Sequence, residues 1–297
     1  MSLLTKGSSG GGPFYPSEAS FSSLTLAPTT FAALPSAASS TNKVYLVSDV
    51  GPAPGIELIS NGTIWRPRGG RQVLAMRANN PVTVQSLIEA VAETIGPFPG
   101  GLVRAGMRLE IDYEIRHSGI GAGARQSIFR INAVNVGGSN SLTASGSDLA
   151  GRQSLALGVL SDTSAAHRRV GVNQSSFAFA FVGTTITVDF SAAWSADILL
   201  TSAAETAVNI TSASWAAGIA TFGTSAVHTL AVGDKTVIAG VSPSGYNVAA
   251  GAIVLSVPTT TSFTVAIASD PGAYTSGGTS SRISNMISQS YVLSLIG

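Results

Sequence analysis

Residues 109–116 read LEIDYEIR. Leu109, Ile111, Tyr113 and Ile115 fall on one side of an extended chain, and Glu110, Asp112, Glu114 and Arg116 on the other. That strict alternation is the period of a half-buried β-strand. The pattern recurs on either side. SIFRINAV (127–134) follows a Gly-rich loop at 118–124. SFAFAFV (176–182) sets Phe177, Phe179 and Phe181 on one face, with Ala178 and Ala180 on the other. TITVDF (185–190) aligns Ile186, Val188 and Phe190 after a turn at Gly183–Thr184. Strands at this spacing, with no helical periodicity between them, predict an all-β antiparallel sandwich. VQSLIEAVAETI (84–95) is ambiguous. Its Leu87, Ile88, Val91 and Ile95 keep helical spacing, yet they also suit a strand and a loop, and the strand is preferred.

The texture changes at 204–282. Short Val/Ile/Thr runs there are punctuated by GDK (233–235), SPSGYN (242–247) and DPGA (270–273). Gly supplies positive φ, Pro a fixed φ, and Asp and Asn close turns with their side chains. ISQSYVLSLIG (287–297) is strand-like again. The economical organisation is a sandwich over 79–203, completed by 283–297, with a smaller β-domain inserted at 204–282.

Upstream, 41–78 reads as a small hairpin unit. NKVYLVS (42–48) is a strand and DVGPAPG a turn cluster. IELIS and TIW flank Asn61-Gly62, a pair suited to a type I′ turn in which both residues take positive φ. Pro67 and Gly69-Gly70 end the second strand. Arg66, Arg68 and Arg71 crowd the exit of this hairpin. Residues 1–40 are rich in Gly, Ser, Pro and Ala, with aperiodic Phe14, Tyr15, Phe21 and Phe31. Such a segment builds no core of its own. It suits either a disordered tail or an arm that orders against a partner.

Composition excludes several function classes. Charged residues make up 10% of the 297-residue chain and the formal net charge is +1. No global field therefore draws nucleic acid or an anionic membrane. With three lysines and no stacking aromatics interleaved among the arginines, nucleic-acid binding is not expected. Cysteine is absent, which removes disulfides and thiolate metal sites. No apolar run approaches the roughly 18 residues of a membrane span, and the N-terminus lacks a signal-peptide pattern. Scarce charge and a positive mean hydropathy imply surface hidden inside an assembly.

No catalytic, cofactor or metal motif is found. Glu110, Asp112 and Glu114 lie at a spacing permissive for a carboxylate pair, but any solvated strand face has that spacing, and no aromatic groove accompanies them. His117, His167 and His228 share no metal-ligand spacing and read as surface or interface residues. GIGAGAR (119–125) lacks the spacing and the following helix of a phosphate loop.

VYLVSDVG…GIELISNGTIWRPRGGRQVL (44–74) resembles a segment of tailed-bacteriophage virion proteins, in which a strand ending in V-(S/T)-D-V-G precedes an S-N-G-T-x-W-R-P hairpin. The downstream sandwich resembles the jelly-roll heads of phage tail-fibre proteins. HTLAVGDKTVIAGVSPSGYN…TSFTVAIASDPGAYTSGGT resembles an Ig-like module of phage structural proteins. The resemblance implies an extended N-terminal anchoring arm (1–40), a connector, a jelly-roll-like sandwich and an inserted Ig-like β-domain. It implies a non-enzymatic virion protein, a tail fibre or similar appendage. Such a protein would be a homotrimer bound to other virion proteins through the arm and able to contact host surface glycan. A capsid decoration protein or head fibre is the alternative. A glycan-depolymerising tailspike fits less well, because no long β-helical repeat is present. In this reading Trp65 anchors the connector, while Arg66, Arg68 and Arg71 hold neighbouring chains. Phe177, Phe179 and Phe181 fill a core while their alanines allow close approach of a neighbour.

Overall fold

A computed structural model describes residues 26–118, 125–140, 149–161, 164–173 and 185–297. Four short strands come first: β1 (Pro28–Thr29), β2 (Val44–Val47), β3 (Ile56–Ser60) and β4 (Trp65–Pro67). They pair in that order in one sheet, β1 parallel to β2 and the rest antiparallel. Ile56 and Leu58 of β3 point inward and are buried, as period-2 alternation demands. Gly55, immediately before β3, has φ +114°, and a Cβ there would lie 2.1 Å from the Val47 carbonyl oxygen, so only glycine fits.

Ten strands follow: β5 (Arg71–Arg77), β6 (Val82–Val84), β7 (Ala90–Phe98), β8 (Arg108–Ser118), β9 (Gln126–Ile131), β10 (Val134–Asn140), β11 (Leu149–Ser161), β12 (Ser164–Asn173), β13 (Thr185–Thr187) and β14 (Trp194–Thr201). Six more, β15 (Val208–Ala216), β16 (Ile219–Thr224), β17 (Lys235–Ala239), β18 (Val248–Thr259), β19 (Ser262–Ala266) and β20 (Thr279–Arg282), precede the last strand, β21 (Asn285–Ile296). The helical elements among the described residues are three single 3-10 turns.

A four-stranded sheet runs β10-β9-β14-β7, and a seven-stranded one runs β13-β12-β11-β8-β21-β5, with β6 also on β21. The two share one core. Leu109, Ile111, Tyr113 and Ile115 of β8 are each no more than 1% exposed. Leu293 and Leu295 join them from β21, Ile198 and Leu200 from β14, and Phe129 and Ile131 from β9. Trp194 packs between Phe98 (ring centroids 4.5 Å apart) and Phe190 (5.5 Å, edge-on). Each large apolar side chain so buried contributes about 1.5–3 kcal/mol. Strands β15-β16-β19-β18-β17-β20 pair in a closed ring around a second core. In it Phe222 stacks on Phe263 at 5.3 Å and meets Tyr246 edge-on at 5.7 Å.

Several sequence expectations need correction. The Asn61-Gly62 turn is not type I′: Gly62 has φ +90°, but Asn61 is not among the positive-φ residues. Ser60 pairs with Trp65, so the loop is four residues long, and Thr63 and Ile64 lie within it, not in the strand. The Asn61 carboxamide oxygen accepts from the Thr63 and Ile64 amides at 2.9 and 2.8 Å, and this side-chain closure replaces the backbone turn. Residues 26–40, expected to belong to an arm awaiting a partner, lie on their own chain's sheet: Pro28 pairs with Leu46, and Phe31 N–H donates to Asp49. The hairpin unit does not run on to residue 78, because β5 pairs with β21 in the large sheet. At 84–95 the preferred strand-and-loop reading holds: β6 ends at Val84 and β7 begins at Ala90, with Ile95 buried and Leu87, Ile88 and Val91 facing out. The inserted segment closes its ring of pairings into a six-stranded barrel.

Candidate functional site

The residues singled out in the sequence fall in two places. The first is the exit of the small sheet. Trp65 starts β4 half-buried; its Nε1–H donates to the Pro35 carbonyl at 3.1 Å, and its ring meets Tyr45 edge-on at 5.2 Å. These contacts tie the 31–40 segment to the hairpin. Arg68 pairs with Glu57 at 3.0 Å, both well exposed. Arg71, the first residue of β5 in the large sheet, pairs with Asp112 at 3.0 Å and Glu110 at 3.7 Å and donates to Ser294 Oγ at 2.9 Å. Arg66 is exposed. Two of the three arginines expected to hold neighbouring chains thus have partners within this chain. Phe177, Phe179 and Phe181 lie outside the described residues.

The second place is the outer face of β8. Glu110 pairs with Arg108 at 2.6 Å, and Asp112 accepts from Ser154 Oγ and lies 3.7 Å from Arg152. With Arg71 they make a ladder of alternating charge across β5, β8 and β11. These carboxylates are occupied by cations instead of facing one another across an open cleft. The groove beside them, lined by Asp112, Glu114, Arg152 and Tyr291, holds only about 180 Å³.

The histidines, expected at the surface or an interface, differ. His117 and His228 are buried, one in the sandwich and one in the barrel. His167 is in β12. Residues 119–124 of the Gly-rich stretch lie outside the described residues, but Arg125 at its end is fully buried. Among the described residues no group of three His, Asp or Glu is placed to hold a metal, and no helix is long and apolar enough to cross a membrane.

Arg125 belongs to a cluster that sequence reasoning missed, at the junction of sandwich and barrel. Its Nε donates to Ser284 Oγ at 3.0 Å. Arg282 pairs with Asp234 at 2.8 Å and Glu205 at 3.1 Å. The Gln85 amide spans the joint: Nε2 donates to Asp234 and to the Ile283 carbonyl, and Oε1 accepts from Lys235 N–H. Burial raises the Glu205 carboxyl above its ordinary value, the Arg282 and Arg125 charges pull it back, and Asp234 adds to the rise. Burial alone would lower Arg282, but its hydrogen bond to Asp234 and the two carboxylate charges outweigh this and raise it. Burial lowers Arg125, opposed by Glu205. Gln85, Arg125, Glu205, Asp234 and Arg282 are scattered over nearly 200 residues, so no local spacing marks them.

No family model, curated protein or solved structure matches the chain.

Proposed function

We propose that this chain is a non-enzymatic structural protein of an assembled particle. More particularly, we read it as a tailed-bacteriophage virion protein, a tail fibre or similar appendage attached by its N-terminal segment and able to contact host surface glycan. The observation that carries this is the joint at Trp65 and Arg71. The stretch bearing the virion-protein resemblance folds as β2–β4 of the small sheet and runs on into β5 of the large one. On one side it receives the N-terminal residues 28–40, and on the other it is fixed to the sandwich through Arg71. A connector of this build suits a protein held at one end and displaying its body at the other. The jelly-roll character of the sandwich and the kinship of the barrel to an Ig-like module belong to the same reading and rest on the resemblance. The homotrimer does too, supported by scarce charge and by exposed apolar side chains such as Ile88, 76% accessible.

Immunogold microscopy with antibodies to the chain tests the reading. Label on tails or appendages supports it. Label on the capsid surface moves it to a decoration protein or head fibre. Antigen found only apart from particles overturns it. Release of reducing ends from host polysaccharide by the purified protein would overturn the non-enzymatic assignment. Mass photometry is expected to find a species of about three times the 30.0 kDa chain mass, and a folded monomer at all concentrations would remove the trimer.

A further inference from the structure

The loop joining β3 to β4 contains the chain's one Asn-Gly pair, Asn61-Gly62. A glycine after asparagine has no Cβ to crowd the backbone nitrogen that can attack the asparagine side chain. Asn61 is exposed and Gly62 half-buried. The Asn61 carboxamide oxygen accepts from the Thr63 and Ile64 amides at 2.9 and 2.8 Å, so two N–H dipoles draw electron density from Cγ. The Gly62 N–H donates to Ser60 Oγ at 3.0 Å, which puts an acceptor on the proton that must leave. Asn61 Nδ2 donates to none of the described residues, so no bond within them holds the leaving group.

The chemistry needs only water. Gly62 N bonds to Asn61 Cγ, the Cγ–Nδ2 bond breaks, and Nδ2 leaves as ammonia with the proton shed by Gly62. The product is a five-membered imide, which water opens at either carbonyl. Opening at Cγ gives Asp at 61. Opening at the backbone carbonyl gives isoaspartate, whose main chain runs through Cβ and Cγ and is one atom longer. The loop is poorly placed to absorb that atom. Ser60 and Trp65 are paired across it, and a Cβ on Gly62 would lie 3.0 Å from Thr41 Oγ1, so it sits against the 38–41 turn. Its two flanking residues also fasten the N-terminal segment. Ser60 Oγ donates to the Ala37 carbonyl at 2.6 Å, and Trp65 Nε1 to the Pro35 carbonyl at 3.1 Å.

We propose that Asn61 is a self-modifying site: it deamidates spontaneously to isoaspartate, and the lengthened loop unfastens the 28–40 segment from the small sheet. The proposal stands on this loop and not on the virion reading, so either can fail without the other. The test ages the full-length protein in mildly alkaline buffer beside a synthetic peptide of residues 57–66, with peptide mass spectrometry of both. Isoaspartate is expected at 61 in the protein by the time the peptide has converted. Trypsin is then expected to cut the isoaspartate form after the exposed Lys43 at least about fivefold faster than the fresh protein, as local opening of that segment requires. Fresh Asn61→Asp has the new charge without the extra atom and is expected to resist trypsin as the wild type does. Asn61→Ser keeps a turn-closing oxygen and has no amide to lose, so ageing is expected to leave its cleavage unchanged. An Asn61 that stays amidated while the peptide converts overturns the proposal. So does isoaspartate with unchanged cleavage, and so does equally fast cleavage of fresh Asn61→Asp or aged Asn61→Ser.

Discussion

Trp65 is fixed at its indole nitrogen and at its ring edge but remains half-buried, and this sets the size of its contribution. Trp65→Ala is expected to cost about 2 kcal/mol, below the roughly 3–5 kcal/mol of a fully buried ring. Trp65→Phe, which keeps the edge contact and loses the bond to Pro35, is expected to cost about 1 kcal/mol. Denaturant midpoints of the two variants check this; equal losses would show that the hydrogen bond carries the whole effect. Glu205 makes a pH prediction. Its folded pKa is raised, so the folded state binds the proton more tightly than the unfolded chain, and stability from this group falls as pH rises through the ordinary carboxylate range and above it. The stability of the wild type relative to Glu205→Gln is therefore expected to decline from about pH 4 towards neutrality. Urea melts of both proteins across that range are the measurement, and a difference that grows with pH would contradict the sign. At this scale the candidate site was only partly legible. Trp65 and Arg71 stand out in a charge-poor sequence. Arg125 and Glu205 do not, because burial and partner identity give them their roles.

The element that closes the sandwich is β21. It pairs with β8 along one edge and with β5 and β6 along the other, with a register shift against β8 at Ser288/Ser290. Met286, Leu293 and Leu295 are fully buried. Leu293→Ala is expected to cost about 2–5 kcal/mol. Deleting residues 285–297 leaves β8 and β5 without their shared neighbour, and limited proteolysis is then expected to digest the sandwich while sparing a barrel-sized fragment. Survival of the sandwich would show that β5 can replace β21 beside β8. Element existence was readable where alternation was strict, as in β8. It was ambiguous at 84–95, where exposed Leu87, Ile88 and Val91 imitate a helical stripe.

In the whole molecule, sandwich and barrel have separate cores joined by two adjacent chain crossings. Glu205 N–H donates to the Arg282 carbonyl at 2.8 Å, Ser284 N–H to Ala203 at 2.9 Å, and Ala204 bridges Ile283. The ends of the excursion are therefore already side by side, and closing them with a short linker costs little entropy. Replacing 207–281 by a few Gly and Ser residues keeps the Glu205–Arg282 pair beside Arg125. The shortened protein is expected to unfold in one cooperative transition, within several degrees of the sandwich transition in the full chain. A molten, ANS-binding product would show instead that Asp234 and Gln85 make the barrel a required part of the fold.

The sequence alone determined that the chain is all-β and where its strongest strands lie. Side-chain alternation is a local property, visible in eight residues of β8 without knowledge of its neighbours. It also marked the texture change at 204 and the return of strand pattern near 287. Only the tertiary structure decided who pairs with whom. β5 lies beside β21 across more than 200 residues, β1 beside β2, and Gln85 beside Asp234 and Lys235. Pairing of this kind depends on which edges remain once local strands form and on the burial each register gives, and neither is written in any single stretch. The Asn61 loop has the same lesson at short range. Asn-Gly permits a type I′ turn, but the bonds from the Thr63 and Ile64 amides to the Asn61 side chain select a longer one.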